Sequence, residues 1–105
     1  MTVSQTPTLA ERIGAKLRVV PDFPSKGIMF QDVTPVRADA ELFRETIEAM
    51  TAPWQGQGIT HVAGIESRGF IFAAPIALAL GAGFVVIRKP GKLPWKRLSQ
   101  EYQLE

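Results

Sequence analysis

The sequence predicts an α/β protein whose second half is a parallel βαβ unit. A β-branched run, Ile59-Thr60-His61-Val62-Ala63-Gly64-Ile65, is followed by an apolar stretch from Phe70 to Leu80 and by a second apolar run, Phe84-Val85-Val86-Ile87. Strand, buried helix and strand within about thirty residues require a parallel, right-handed crossover. The first half patterns instead as two amphipathic helices around a turn-rich segment.

Taken in order, Thr8-Leu9-Ala10-Glu11 has capping-box spacing, and Ile13, Leu17 and Val20 follow Leu9 at helical intervals, which predicts a helix over about 9–17. Pro21-Asp22-Phe23-Pro24-Ser25-Lys26-Gly27 is turn chemistry, with two prolines and a glycine in seven residues. Ile28-Met29-Phe30 reads as a strand or extended segment closed by Asp32-Val33-Thr34-Pro35. Asp39 caps a second helix running to Met50, with Leu42, Phe43, Ile47 and Met50 on its buried side. Pro53 ends that helix, and Gly56-Gln57-Gly58 is a tight linker. In the apolar stretch from Phe70 to Leu80, Pro75 fits the first turn of a helix beginning near Ile71, and Gly81 stops it.

At 105 residues, 46% apolar and 21% charged, the chain suits one small domain and excludes disordered and fibrous classes. The absence of cysteine excludes disulfides and thiolate metal sites. The longest apolar stretch, Gly69 to Val86, is too broken by glycine and proline to span a bilayer, and the N-terminus has no secretory pattern. A cytoplasmic location is the expectation. Trp54 and Trp95 are isolated aromatics, so no nucleic-acid stacking platform is expected. The lone His61 reads as a structural or edge residue, and no side-chain metal site is expected.

Charge is unevenly spread. Residues 1–66 carry six Lys/Arg against eight Asp/Glu, whereas residues 67–100 carry Arg68, Arg88, Lys89, Lys92, Lys96 and Arg97 and no acid. The ligands of parallel sheets sit at the carboxyl ends of the strands. Here those ends are Glu66-Ser67-Arg68-Gly69 and Arg88-Lys89-Pro90-Gly91-Lys92. The first opens a helix whose amides and dipole favour an anion, while Ser67 offers a hydroxyl and Arg68 a guanidinium fork. The second gathers three cations around a Pro-Gly bend. An ordinary βα turn and a solvated basic turn are the plainer readings of these two segments. The polar stretch 93–105 reads as a mobile lid or as a frayed terminus.

Three motifs carry a resemblance: Pro21-Asp22-Phe23-Pro24-Ser25-Lys26-Gly27-Ile28-Met29-Phe30-Gln31-Asp32-Val33-Thr34-Pro35, Gly64-Ile65-Glu66-Ser67-Arg68-Gly69-Phe70, and Ile87-Arg88-Lys89-Pro90-Gly91-Lys92-Leu93-Pro94. In this order they resemble the adenine phosphoribosyltransferases, a branch of the type I phosphoribosyltransferases, from about Leu9 to Glu105. The resemblance implies a parallel sheet with flanking helices and transfer of phosphoribosyl from phosphoribosyl pyrophosphate (PRPP) to adenine, giving AMP and pyrophosphate. It implies Mg²⁺ held mainly by PRPP or pyrophosphate, a homodimer, and no nucleic-acid or membrane partner. Glu66, Ser67, Arg68 and Gly69 would form the pyrophosphate loop, with a cis peptide joining Glu66 and Ser67. Arg88, Lys89 and Lys92 would complete the pyrophosphate site. Met29, Phe30 and Gln31 would bind adenine, partly through the backbone. Tyr102 and Glu105 would belong to a lid, and Arg68 and Glu105 would act in catalysis.

Two departures stand out. Gln31 occupies a position where the family usually has a basic residue. The family's paired aspartates and Ala-Thr-Gly-Gly-Thr turn, which cradle the ribose and 5′-phosphate, do not occur in the 105 residues. The expectation is therefore one partial domain: helices and base-binding segment over 1–58, the βαβ pyrophosphate unit over 59–92, and a lid broken at its end over 93–105. Another type I purine phosphoribosyltransferase, or a non-catalytic nucleotide-binding module of the same fold, are the alternative readings.

Overall fold

The computed structural model describes residues 6–99. The chain divides into two compact units, Met1–Pro53 and Trp54–Glu105.

In the first unit, helix α1 (Leu9–Lys16) starts from the anticipated capping box. The Thr8 hydroxyl accepts the Glu11 N–H at 3.1 Å and the Glu11 carboxylate accepts the Thr8 N–H at 3.1 Å. The helix stops at Leu17, and Val20, placed on its face by periodicity, lies instead in strand β1 (Arg18–Pro21). Adjacent Val19 and Val20 are β-branched and fit a pleated ribbon better than a fourth helical turn. Strand β2 (Met29–Asp32), one residue later than the extended piece read from sequence, pairs antiparallel with β1, setting Arg18 against Asp32 and Pro21 against Met29. The connection is tied by the Asp22 carboxylate, which accepts the Gly27 N–H at 2.9 Å, while Asp22 itself has φ +56°. The Phe23–Pro24 peptide is cis.

Helix α2 (Thr34–Ala38) was not anticipated, because Thr34-Pro35 reads as a stop. Proline within a first turn removes an amide that has no helical partner anyway. Asp39 then ends α2 and caps helix α3 (Ala40–Thr51), accepting the Leu42 N–H at 3.0 Å as predicted. Val36, Leu42, Ile47 and Thr51 form the buried centre, and the Thr51 hydroxyl is satisfied by the Ile47 carbonyl at 2.7 Å. Met50, expected on the buried side, is 44% exposed. Arg12 and Glu45 join α1 to α3 through a two-pronged ion pair. A short 3-10 turn, Ala52–Trp54, follows α3.

The second unit is the βαβ motif. Strand β3 (His61–Ile65) pairs parallel with β4 (Gly83–Ile87), in the register His61 to Gly83 through Ile65 to Ile87. Helix α4 (Arg68–Leu80) connects them and ends at Gly81, whose φ of +67° supplies the left-handed cap. The helix begins earlier than predicted, so Pro75 lies inside it rather than in its first turn. The Ile71 carbonyl consequently has no helical N–H to accept. Only Ala73 and Ala77 of α4 are buried and Leu78 is 83% exposed, so the helix is not covered all round as its composition suggested. All of β4 is likewise exposed. Close approach decides which face packs: a Cβ on Gly64 would lie 2.8 Å from the Ala73 Cβ.

Candidate functional site

The register of β3 and β4 brings the two basic turns side by side. Beyond the Ile65–Ile87 pair, the Glu66 N–H donates to the Ile87 carbonyl at 3.0 Å and extends the ladder by one step. Glu66 and Arg88 therefore leave adjacent parallel strands at the spacing of the sheet, about 4.8 Å.

On the β3 side, the Glu66–Ser67 peptide is cis, the geometry that the resemblance implied. Ser67 precedes α4 but makes no side-chain cap, and the Phe70 N–H donates to the Ser67 carbonyl at 3.2 Å. Arg68 and Gly69 occupy the first turn, so Arg68 projects from the positive end of the helix dipole. Gly64 sets how closely this turn approaches the sheet, since a Cβ there would also meet the Gly69 carbonyl at 3.1 Å.

On the β4 side, Lys89-Pro90-Gly91-Lys92 closes a β-turn in which the Lys92 N–H donates to the Lys89 carbonyl at 3.2 Å. Gly91 has φ +82°, and proline followed by a positive-φ glycine is the chemistry of a type II turn. The Glu66 carboxylate accepts the Lys89 backbone N–H and lies 3.5 Å from Arg88 Nε. The Arg88 guanidinium donates to the Lys92 carbonyl at 3.4 Å and sits 6.0 Å from the centre of the Phe70 ring. Phe70 in turn meets Phe84 edge-on at 5.9 Å. Glu66, Ser67, Arg68, Gly69, Arg88, Lys89 and Lys92 thus gather at one end of the parallel pair. Sequence reading gave no role to Gly64 or Phe70. Glycine inside a strand is a signal of close backbone approach, whereas nothing local marks a ring that will sit beneath an arginine.

The remaining candidates lie elsewhere. Met29, Phe30 and Gln31 are on β2 in the first unit, with Met29 64% exposed and Phe30 edge-on to Phe23 at 5.1 Å. The end of this ribbon is pinned by Asp32, which accepts from the Arg18 guanidinium at 2.6 Å and from the Thr34 N–H at 2.9 Å. Hydrogen bonds from the Thr34 side chain, Arg18 and the Thr34 amide hold the Asp32 carboxyl well below the usual range. Tyr102 and Glu105 lie outside the described residues. Of the lid stretch, residues 93–99 form no helix or strand and Trp95 is exposed. His61, with Nδ1 3.1 Å from Thr60 Oγ1, is exposed at the opposite end of β3 from Glu66, roughly 16 Å along the chain. An open cleft of about 260 Å³ between α1 and α3 is lined by Arg12, Ala15, Lys16, Asp39 and Leu42. Its cations are paired to Glu45 and Asp39. Among the described residues no three His, Asp or Glu side chains gather to hold a metal, and no helix is long and apolar enough to cross a membrane.

No protein-family model matches the chain. Curated relatives do. The adenine phosphoribosyltransferase of Anaeromyxobacter dehalogenans (strain 2CP-C) is 57% identical over 97 residues, which are 92% of this chain and 56% of that protein. The chain thus spans about half the length of the curated relatives it matches. Among solved structures, the adenine phosphoribosyltransferase of Rhodothermus marinus DSM 4252 is 52% identical with a TM-score of 0.84, covering 92% of this chain and 55% of that one. That of Saccharomyces cerevisiae, solved with D-2,5-dideoxy-2,5-imino-altritol 1,6-bisphosphate and adenine, is 40% identical with a TM-score of 0.79, covering 84% and 54%. The predicted fold class, an α/β segment of a type I phosphoribosyltransferase, is therefore the one observed.

Proposed function

We propose that this chain is the N-terminal portion of an adenine phosphoribosyltransferase, converting adenine and PRPP to AMP and pyrophosphate in purine salvage. The observation that carries the reading is the juxtaposition of the Glu66–Gly69 turn with the Arg88–Lys92 turn at neighbouring strand ends. Four cations, Arg68, Arg88, Lys89 and Lys92, belong to these two turns. As the bond between the ribose carbon and the diphosphate oxygen breaks, negative charge grows on the leaving group and positive charge on the sugar. Cations already fixed around the leaving group stabilise that distribution more than they stabilise the bound substrate, which is the requirement for catalysis. Arg68, in the first turn of α4, is assigned to the leaving group as a fork, and Lys89 and Lys92 as point charges.

Adenine is assigned to Met29, Phe30 and Gln31. Strand β2 belongs to a two-stranded ribbon, so alternate residues turn their N–H and C=O groups away from β1 and toward a ligand. Backbone recognition of this kind tolerates Gln31 in place of a basic side chain. Tyr102 and Glu105 are assigned to the lid, and Glu105 also to catalysis. The segment 1–58 serves the base, 59–92 the diphosphate and 93–105 the closure. Mg²⁺ enters with the substrate diphosphate. A cytoplasmic homodimer completes the proposal.

The test is adenine-dependent pyrophosphate release by the full-length protein, with and without Arg68→Ala. Loss of one transition-state contact of about 3–4 kcal/mol lowers kcat/KM by two to three powers of ten. Near-normal kinetics in that variant refute the assignment of the site.

A further inference from the structure

We infer that Glu66 is a positioning residue that clamps the Arg88–Lys92 turn in shape for a diphosphate and does not itself touch the ligand. This inference rests on the proposed pyrophosphate site and assigns Glu66 a different role within it. A carboxylate inside an anion site is at first sight adverse, because it repels the ligand that the surrounding cations attract. The geometry shows what the carboxylate does instead. One oxygen accepts the Lys89 backbone N–H and the other faces Arg88 Nε at 3.5 Å. The side chain is only 14% exposed, so both oxygens are directed into the protein.

The turn is thereby held at both corners. Its first residue, Lys89, is tied to Glu66 directly. Its last residue, Lys92, is tied through the Arg88 guanidinium, which donates to the Lys92 carbonyl at 3.4 Å and is backed by the Phe70 ring. Glu66 is itself fixed by its N–H to the Ile87 carbonyl. Within the turn, one 3.2 Å hydrogen bond joins Lys92 to Lys89, and the corner residues of such a turn lie within about 7 Å. Both ammonium groups can therefore reach one diphosphate while the backbone stays put. Glu66 offsets the charge of Arg88, and the Lys89 and Lys92 ammonium groups extend the positive field at this end of the strands.

The sign of a substitution separates this from simple repulsion. Inorganic pyrophosphate is titrated calorimetrically into the full-length protein and into Glu66→Ala and Glu66→Gln, and exchange of the Lys89 amide is followed without ligand. A clamp predicts binding weakened about tenfold in Glu66→Ala, the loss of a charge-assisted hydrogen bond. Glu66→Gln, which keeps an acceptor for the Lys89 N–H, loses less, and the Lys89 amide exchanges faster in Glu66→Ala. In an Arg88→Ala background the effect of Glu66→Ala shrinks, because the two act through one turn. Binding as tight as or tighter than wild type in both Glu66 variants overturns the inference, as does an unchanged Lys89 exchange rate. If Glu66→Ala does not fold, Glu66→Gln decides between weaker and tighter binding. Failure of the unaltered protein to bind pyrophosphate counts against the proposed function, while amide exchange still decides the clamp.

Discussion

Adding one methyl group at Gly64 is the sharpest test of how the site is built. A Cβ there would lie 2.8 Å from the Ala73 Cβ, 3.1 Å from the Gly69 carbonyl oxygen and 3.1 Å from Phe84 Cε1. The Phe84 ring can tilt away. The other two cannot yield without moving α4, because one is main chain and the other a Cβ fixed to the helix backbone. Overpacking of this kind costs about 1–3 kcal/mol, partly offset by about 0.4–1 kcal/mol from restricting the unfolded chain. Gly64→Ala should therefore destabilise the protein by about 1–2 kcal/mol, read as a lower denaturant midpoint at unchanged m-value. The displaced element is the first turn of α4, which carries Arg68, so pyrophosphate affinity should fall with stability. Gly14→Ala is the control. Gly14 is exposed in α1 with nothing within 4 Å of the added Cβ, so the change should stabilise by about 0.5–1 kcal/mol. A Gly64→Ala midpoint equal to or above wild type would falsify the close-approach argument.

Further outcomes follow from the same geometry. Thr8→Ala removes the side-chain half of the α1 capping box and should cost about 1 kcal/mol, measured by thermal or denaturant unfolding; no loss would mean that the box is cosmetic. Because the folded-state pKa of Asp32 is depressed, its contribution to stability is fully present above the unfolded value of about 3.9 and is lost as pH falls through the folded value. Asp32→Asn should thus lower the unfolding midpoint at pH 6, and the gap to wild type should narrow as the pH is lowered below about 4 toward 2. A gap independent of pH would refute the ionic account. On the proposed function, adenine should be used better than hypoxanthine by several powers of ten, because an acceptor built for the exocyclic amino group is left unpaired by an oxo base. Steady-state kinetics with both bases give the ratio, and comparable turnover would favour another purine specificity.

Local sequence determined what rests on local chemistry. The capping box at Thr8, the cap at Asp39, the stop at Gly81 and the Pro90-Gly91 turn are each settled within four or five residues by hydrogen bonding or by allowed φ. The alternation of strand, apolar helix and strand was enough to bring the 66–69 and 88–92 turns to one sheet edge, because a parallel crossover leaves no other arrangement. Tertiary structure decided the rest. Val20 fell at helical spacing but lies in a ribbon, since β1 gains a hydrogen-bonded partner in β2 that a further helical turn would lack. The stretch from Phe70 to Leu80 is apolar all round, and packing against β3, where Gly64 admits Ala73 closely, decides that Ala73 and Ala77 are the residues buried. Glu66, grouped from sequence with the anion-binding residues, turns toward Lys89 and Arg88, which lie more than twenty residues away. Composition fixes which groups are charged; the register of two parallel strands decides which charges meet.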